Sequence, residues 1–234
     1  MREQHSADIC IVNGENVADG AGITPKLADR LLRAGADVLT LGNHTYRRDG
    51  IGDYLAKSDR VIRPANAGAL TPGRGLAVAE AANGVKVAVL NVLGALFLDT
   101  PVSPWEVIDE LVDDARRQAP VVVLDFHAEA TSEKVAMARW LDGRVTAVIG
   151  THTHVQTNDA RILPGGTAAI TDAGMTGPHD SVIGVKAELA IRRMRTRLPV
   201  RFEPAEGGVR IEGVVVDCSD DGRARGIELL RVDL

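Results

Sequence analysis

Aromatic side chains are scarce in this sequence: Phe, Tyr and Trp make up 3% of its 234 residues. The core must therefore be assembled from Val, Ala, Leu and Ile, which suits sheets covered by helices better than a small ring-anchored module. Cysteine is scarcer still. Cys10 and Cys218 lie far apart, each in a strand-like run, and read as buried free thiols in a reducing cytoplasm. The longest apolar stretch, "VAVLNVLGALFL", is too short and too interrupted to span a bilayer, so no membrane partner is expected. "MREQHSAD" has no hydrophobic segment after its charges and is not a secretory signal. Basic residues are in deficit. A net charge of −5 argues against wrapping extended nucleic acid, although a bound metal could still draw a small nucleotide into a pocket. There is no Gly-rich phosphate loop, nucleophile elbow or CxxC. No repeat, low-complexity tract or long linker divides the chain, so residues 1–234 read as one domain.

What is present alternates. "ICIV" is followed by "TPKLADRLLRAG", where Thr24 can N-cap, Pro25 takes the first helical position and Gly35 ends the helix. Strand "DVLTL" and a helix containing "IGDYLAKS" come next. "GLAVAEAANGVKVAVLNV" reads as two strands joined at Asn83-Gly84, a dipeptide that tolerates positive φ. "SPWEVIDELVDDARRQ" opens with a capping-box pattern from Ser103 to Glu106. Strand "VVVLDF", helix "SEKVAMARWLDG" and strand "TAVIG" follow, and "VRIEGVVVDC" with "ARGIELLRVDL" reads as a terminal antiparallel hairpin. Alternation followed by antiparallel pairs predicts an α/β sandwich with mixed sheets and helices outside.

The chemistry sits at strand ends. His44 in "LTLGNH", His127 in "VLDFH", and His152 and His154 in "AVIGTHTH" each follow an apolar run, as Glu15 follows "ICIV". In α/β sheets functional groups gather at the carboxyl ends of strands. Glu15, Asn43 and the histidines are thus expected in one crevice, as a metal site. In extended chain, His152 and His154 would share a face, roughly 7 Å apart. His44 adjoins Asn43; it is read as a general acid, with an orienting role as the alternative. His179, in "TDAGMTGPHDS" with Asp172 and Asp180, either walls the pocket or belongs to an ordered turn. His5 is expected in solvent. Arg63 in "RPAN" could meet a substrate phosphate or form a surface salt bridge. Glu129, Thr131, Ser132 and Glu133 open a helix, where capping by Thr131 or Ser132 accounts for much of the pattern.

"NGEN", "GNHT", "RPAN", "DFHAEATSEK", "GTHTHVQT" and "TDAGMTGPHDS" occur in this order. Together they closely resemble the YmdB-like branch of the calcineurin-like metallophosphoesterases, and the resemblance covers essentially the whole chain. It implies a four-layer α/β/β/α sandwich and a phosphodiesterase acting on small phosphoesters, above all 2′,3′-cyclic nucleotides. It also implies two metal ions, of iron, manganese or zinc. Carried over, Glu15 bridges the metals, Asn43, His127 and His152 complete one, His154 belongs to the other, and His44 is the proton donor. Asn16 matches a motif residue close to the metals. The family's opening Gly-Asp strand and its following helix are not found ahead of "NGEN". The resemblance therefore leaves the second metal with Glu15 and His154. A homologue that binds metal or nucleotide without turnover, and a phosphomonoesterase or protein phosphatase, are the alternatives. A homo-oligomer is compatible with all of these.

Overall fold

The computed structural model describes residue 2 and residues 4–234. Its first half contains β1 (Ile11–Asn13), α1 (Pro25–Arg33), β2 (Val38–Thr40), α2 (Ile51–Lys57), β3 (Leu76–Glu80), β4 (Lys86–Leu93) and α3 (Pro104–Gln118). Then come β5 (Val121–His127), α4 (Thr131–Trp140), β6 (Ala147–Thr151), β7 (Arg161–Ile162), β8 (Ala168–Ile170) and β9 (Gly177–Pro178). Helix α5 (Ala187–Thr196) and the hairpin β10 (Val209–Cys218) and β11 (Ala224–Asp233) complete the chain.

The strand period of two sorts the apolar residues onto opposite faces. On β4 and β5, Ala88, Leu90, Val92, Val122, Leu124 and Phe126 pack with Ile108 and Val112 of α3 and Met137 of α4. Val87, Val89 and Val121, one residue out of phase, pack with Val38, Ile62 and Ile11. Val123 and Ile149 meet Val216 and Ile227 of the terminal hairpin. Helices α1 and α2 close the far side of β2 through Leu39, Leu41, Ile51 and Leu55. The order of layers is helix, six-stranded sheet, second β layer, helix. That second layer is built from two pieces, the parallel pair β1-β2 and the sheet β11-β10-β9. The six-stranded sheet runs β3-β4-β5-β6-β8-β7, with β4, β5, β6 and β8 parallel.

Parallel pairing brings the functional ends together. Leu93 is in register with His127, and His127 with Thr151. Asn13 is in register with Thr40 across β1-β2. Asp125 faces the second β layer from β5, where Asn13 Nδ2 and Thr40 Oγ1 donate to its Oδ2.

Local signals fared unevenly. Thr24 caps α1, its Oγ1 accepting from Leu27 N at 3.3 Å, with Pro25 at the first helical position. The capping box at Ser103 does not form. Its side chain makes no capping bond, and the turn is closed by Glu106 N donating to Ser103 O at 3.1 Å. Thr131 and Ser132 do not cap α4; Ala130 occupies that position, and Glu133 is drawn away to Ala95 N and Leu96 N. The β3-β4 hairpin closes with Ala81 N donating to Val85 O. Gly84 alone of its turn dipeptide has positive φ, so the loop is longer by one residue than a two-residue turn.

Candidate metal centre

Glu15 lies just past β1, turned inward because Gly14 N donates to Thr40 O and Glu15 N donates to Asn13 Oδ1 at 3.1 Å. Its carboxylate is 1% exposed. His44 N donates to Glu15 Oε1 at 2.6 Å, and His127 Nε2 stands 2.9 Å from Oε2. Burial alone would raise the Glu15 pKa. The His127 ring and the His44 N–H outweigh it and hold the carboxyl at about 2. Asn43 Oδ1 approaches His127 Nε2 at 3.1 Å, and His152 Nδ1 approaches the same nitrogen at 3.1 Å. A Cβ at Gly42 would overlap the His127 ring, so "LGNH" needs glycine for close approach.

Hydrogen bonds behind these groups decide what each presents. Thr151 Oγ1 donates its one proton to Asp125 Oδ1 at 2.6 Å. Its oxygen therefore accepts from His127 Nδ1–H at 2.9 Å, which leaves a lone pair on His127 Nε2. Burial pushes the Asp125 carboxyl up, opposed by the His127 ring and by donors from Thr151, Thr40 and Asn13. Glu129 Oε2 lies 3.0 Å from His152 Nε2, and its charge favours the ring proton on that nitrogen, leaving His152 Nδ1 with a lone pair. With both imidazoles neutral, Glu15 Oε2, Asn43 Oδ1, His127 Nε2 and His152 Nδ1 thus converge as four electron-pair donors, and the Nε2–H of a protonated His127, which holds the Glu15 carboxyl low, would occupy that same centre. The ligand atoms of Glu15, His127 and His152 all lie within 4.8 Å of one another. Such a set is satisfied by a cation at its centre, a metal ion or, in its absence, a shared proton. The donor set fits a metal, and carboxylate, amide and imidazole together suit a transition ion.

Beside this cluster runs a directed chain. Asn16 Oδ1 accepts from His44 Nδ1 at 2.9 Å, and Asn16 Nδ2 donates to His154 Nε2 at 3.2 Å. His154 Nδ1 in turn donates to Ile183 O at 3.2 Å. His44 is thereby fixed with Nε2 as its outward nitrogen. Burial lowers the pKa of the His44 ring, opposed by the Glu15 charge. His154 stands one hydrogen bond away from Glu15's neighbourhood, through Asn16, rather than within the four-donor cluster.

The expected extended geometry of "HTH" is not what forms. Strand β6 ends at Thr151, and His152 and His154 both take positive φ, 95° and 64°. Each such residue costs on the order of 1–3 kcal/mol. Thr153 explains the fold-back: its N–H and hydroxyl both donate to Asp172 Oδ2, at 3.0 and 2.6 Å. Lys134 Nζ reaches the same oxygen at 3.1 Å and Thr153 Oγ1 at 3.0 Å. Lys134 and Asp172 are 4% and 1% exposed, so the central threonine of the motif is pinned by a buried ion pair.

Two sequence candidates lie elsewhere. Arg63 is 7% exposed, and its guanidinium donates to the carbonyls of Pro64, Ala65 and Thr71, which leaves it bracing a loop instead of facing phosphate. His179 Nε2 donates to Met175 O at 3.2 Å, in an ordered turn near Glu212 and away from the four donors. His5 is exposed, as expected. Three groups that matter escaped the sequence reading: Asp125, Thr151 and Lys134. Glu129 was singled out there, but as part of a helix start whose capping accounted for much of the pattern.

A model of the family described as YmdB-like protein matches residues 1–230. A 2′,3′-cyclic-nucleotide 2′-phosphodiesterase of Bacillus subtilis is 45% identical over 232 residues, which cover 99% of this chain and 87% of that protein. A hypothetical protein from Thermus thermophilus superposes with a TM-score of 0.92 at 38% identity, covering 99% of this chain and 89% of that one. A structure described as a novel phosphatase, from Mycoplasma pneumoniae, gives 0.90 at 35% identity, covering 99% and 84%.

Proposed function

We propose, since this chain belongs to the YmdB-like protein family, that it is a metal-dependent phosphodiesterase that opens 2′,3′-cyclic nucleotides. The observation that carries the reading is the convergence of four lone-pair donors at the strand ends, with His44 Nε2 facing outward beside them.

Glu15, Asn43, His127 and His152 would hold one ion. The second oxygen of Glu15 remains for another, joined by His154 once its Nε2 lone pair is released from Asn16 Nδ2. The set suits iron, manganese or zinc. Bound there, such ions supply positive charge for an in-line phosphoryl transition state and make a nucleophile available at neutral pH.

The chain's own groups do the rest. Thr151 and Glu129 keep the His127 and His152 lone pairs aimed inward. Asn16 accepts from His44 Nδ1–H, which leaves Nε2 facing outward, and the ring in its doubly protonated form passes the Nε2 proton to the departing ribose oxygen. Water adds across the phosphorus–O2′ bond, the 2′ oxygen leaves with a proton, and a nucleoside 3′-monophosphate results. Two unpaired, half-buried thiols, Cys10 and Cys218, fit a reducing cytoplasm as the setting.

The test is hydrolysis of 2′,3′-cyclic AMP by the Mn²⁺-loaded chain, with 3′-AMP as the measured product and bound metal counted on the same sample. His44→Ala is expected to lower kcat about 10²–10⁴-fold, and Glu15→Gln to lose both metal and turnover. Equal rates in the wild type and both variants, or a wild type that binds metal without turnover, would overturn the proposal.

A further inference from the structure

The stretch between His154's contact and the terminal hairpin carries an unusual charge. From Ala187 to Phe202 it holds five arginines, Arg192, Arg193, Arg195, Arg197 and Arg201, against one carboxylate, Glu188, in a chain whose net charge is −5. All five arginines are exposed. Among the described residues, none of their guanidiniums pairs with a carboxylate, whereas Arg2, Arg74, Arg144 and Arg210 do.

This excursion is anchored beside the site. Ile183 O accepts from His154, Val185 bridges Pro204, and Lys186 closes the base through Glu203 with Nζ to Oε2 at 2.7 Å. Between those anchors lies a groove of about 470 Å³ lined by Ala190, Arg193, Met194, Arg197 and Phe202. Arg193 lies over the Phe202 ring, 5.5 Å from its centroid. Two guanidiniums, an aromatic ring and a thioether side chain in one groove match a flat base joined to a phosphate.

We propose that this groove receives a nucleotide of a short single-stranded oligoribonucleotide whose 2′,3′-cyclic phosphate end occupies the metal centre. The proposal rests on the phosphodiesterase reading for the terminal phosphate. It extends the substrate from mononucleotides to RNA ends. The whole-chain charge excludes wrapping of an extended duplex but not this local contact, because screening confines each charge to its own neighbourhood. A second copy of the chain is the less suited occupant, since an isologous contact would oppose like charges.

The experiment compares 2′,3′-cyclic AMP with a short oligoadenylate ending in the same cyclic phosphate, using wild type and Arg193→Gln/Arg197→Gln. Wild type is expected to favour the oligomer in kcat/KM, and the double variant to lower that preference about tenfold or more. In parallel, anisotropy with a fluorescent oligoadenylate that lacks the cyclic end reads the groove independently of catalysis. There the variant should weaken binding and flatten the dependence of log K on log salt by about 1.4. If neither substrate is hydrolysed but the anisotropy result holds, the phosphodiesterase reading fails and the groove stands. Equal oligomer affinity in both proteins overturns the groove. So does competition by AMP as strong as by the oligomer, or dimerisation that the variant abolishes while RNA fails to bind.

Discussion

Replacing Thr151 by valine tests whether hydrogen bonding behind the ligands sets what they present. The side chains have nearly the same shape, so packing is retained and only the hydroxyl is lost. Two buried groups are affected: His127 Nδ1–H loses its acceptor at 2.9 Å, and Asp125 loses a donor at 2.6 Å. A buried group left without its partner costs about 1–3 kcal/mol, which for a chain of this size lowers Tm by roughly 2–12 °C. More telling is the ring. Without Thr151 to accept from Nδ1, the proton has no reason to stay there, and its other seat is Nε2, between Glu15 and Asn43. Loss of such an outer partner typically weakens metal binding about 10–100-fold. The control is Thr40→Val, which also removes a donor from Asp125 yet touches no ligand. The assay is Mn²⁺ titration of chelator-stripped protein against a competing chelator, with melting curves of the same samples. Both variants should melt early, and only Thr151→Val should bind metal weakly. Equal Mn²⁺ affinity in the two would refute the argument, because the Thr151 effect would then be stability alone.

Three further outcomes follow from the same geometry. Glu129→Ala should weaken metal binding about tenfold, and Glu129→Gln, which keeps an oxygen facing His152 Nε2 but removes the charge, should recover part of it; equal loss in both would point to charge instead of orientation. Lys134→Met leaves Asp172 charged, buried and unpaired, at a cost of about 3–5 kcal/mol. Adding Asp172→Asn should recover part of that in a melting experiment, and an additive double variant would count against the pair. In metal-free protein, the depressed Glu15 carboxyl stabilises the fold above its unfolded value near 4.5, and that contribution disappears as pH falls toward about 2. It amounts to about 3 kcal/mol, with Asp125, raised by burial, contributing in the opposite sense at higher pH. Acid titration of stability in wild type and Glu15→Gln should therefore diverge between those limits, the wild type being the steeper.

The candidate ligands were legible in the sequence because their placement is local: a polar residue directly after an apolar run lies at a strand end. Glu15, Asn43, His127 and His152 obey that rule and meet. Ligand orientation was not legible because it is long-range. Thr151 and Asp125 are 26 residues apart in sequence, and Asn13 reaches Asp125 across 112. The β5–β6 pairing brings the first two together, and the packing of the two β layers brings Asn13 to Asp125. Arg63 shows the reverse error. A basic residue after a strand suggested a phosphate contact, but the loop that follows it turns three carbonyls inward, and these take the guanidinium's donors first. An α/β sandwich with helices outside was recoverable from alternation and the terminal hairpin, whereas the four-layer order followed only from the family resemblance. The capping box was not, because an N-terminal turn closed by backbone bonds leaves its side chains no role.

The "HTH" turn connects these two kinds of legibility. Two histidines in left-handed backbone would relax toward extended strand if nothing held them, since β6 could simply continue. Continuation is blocked at Thr153, whose N–H and hydroxyl are both taken by Asp172. That carboxylate is in turn neutralised by Lys134 from α4, the helix that begins just after His127 and Glu129. The same short segment therefore delivers one candidate ligand, orients a second and anchors the turn that carries it. Because the clamp involves neither imidazole ring, the turn that carries His152 is held independently of anything bound beside it. Strain fixed in this way favours any partner that needs the bent geometry, which for His152 Nδ1 means an ion shared with Glu15 and His127.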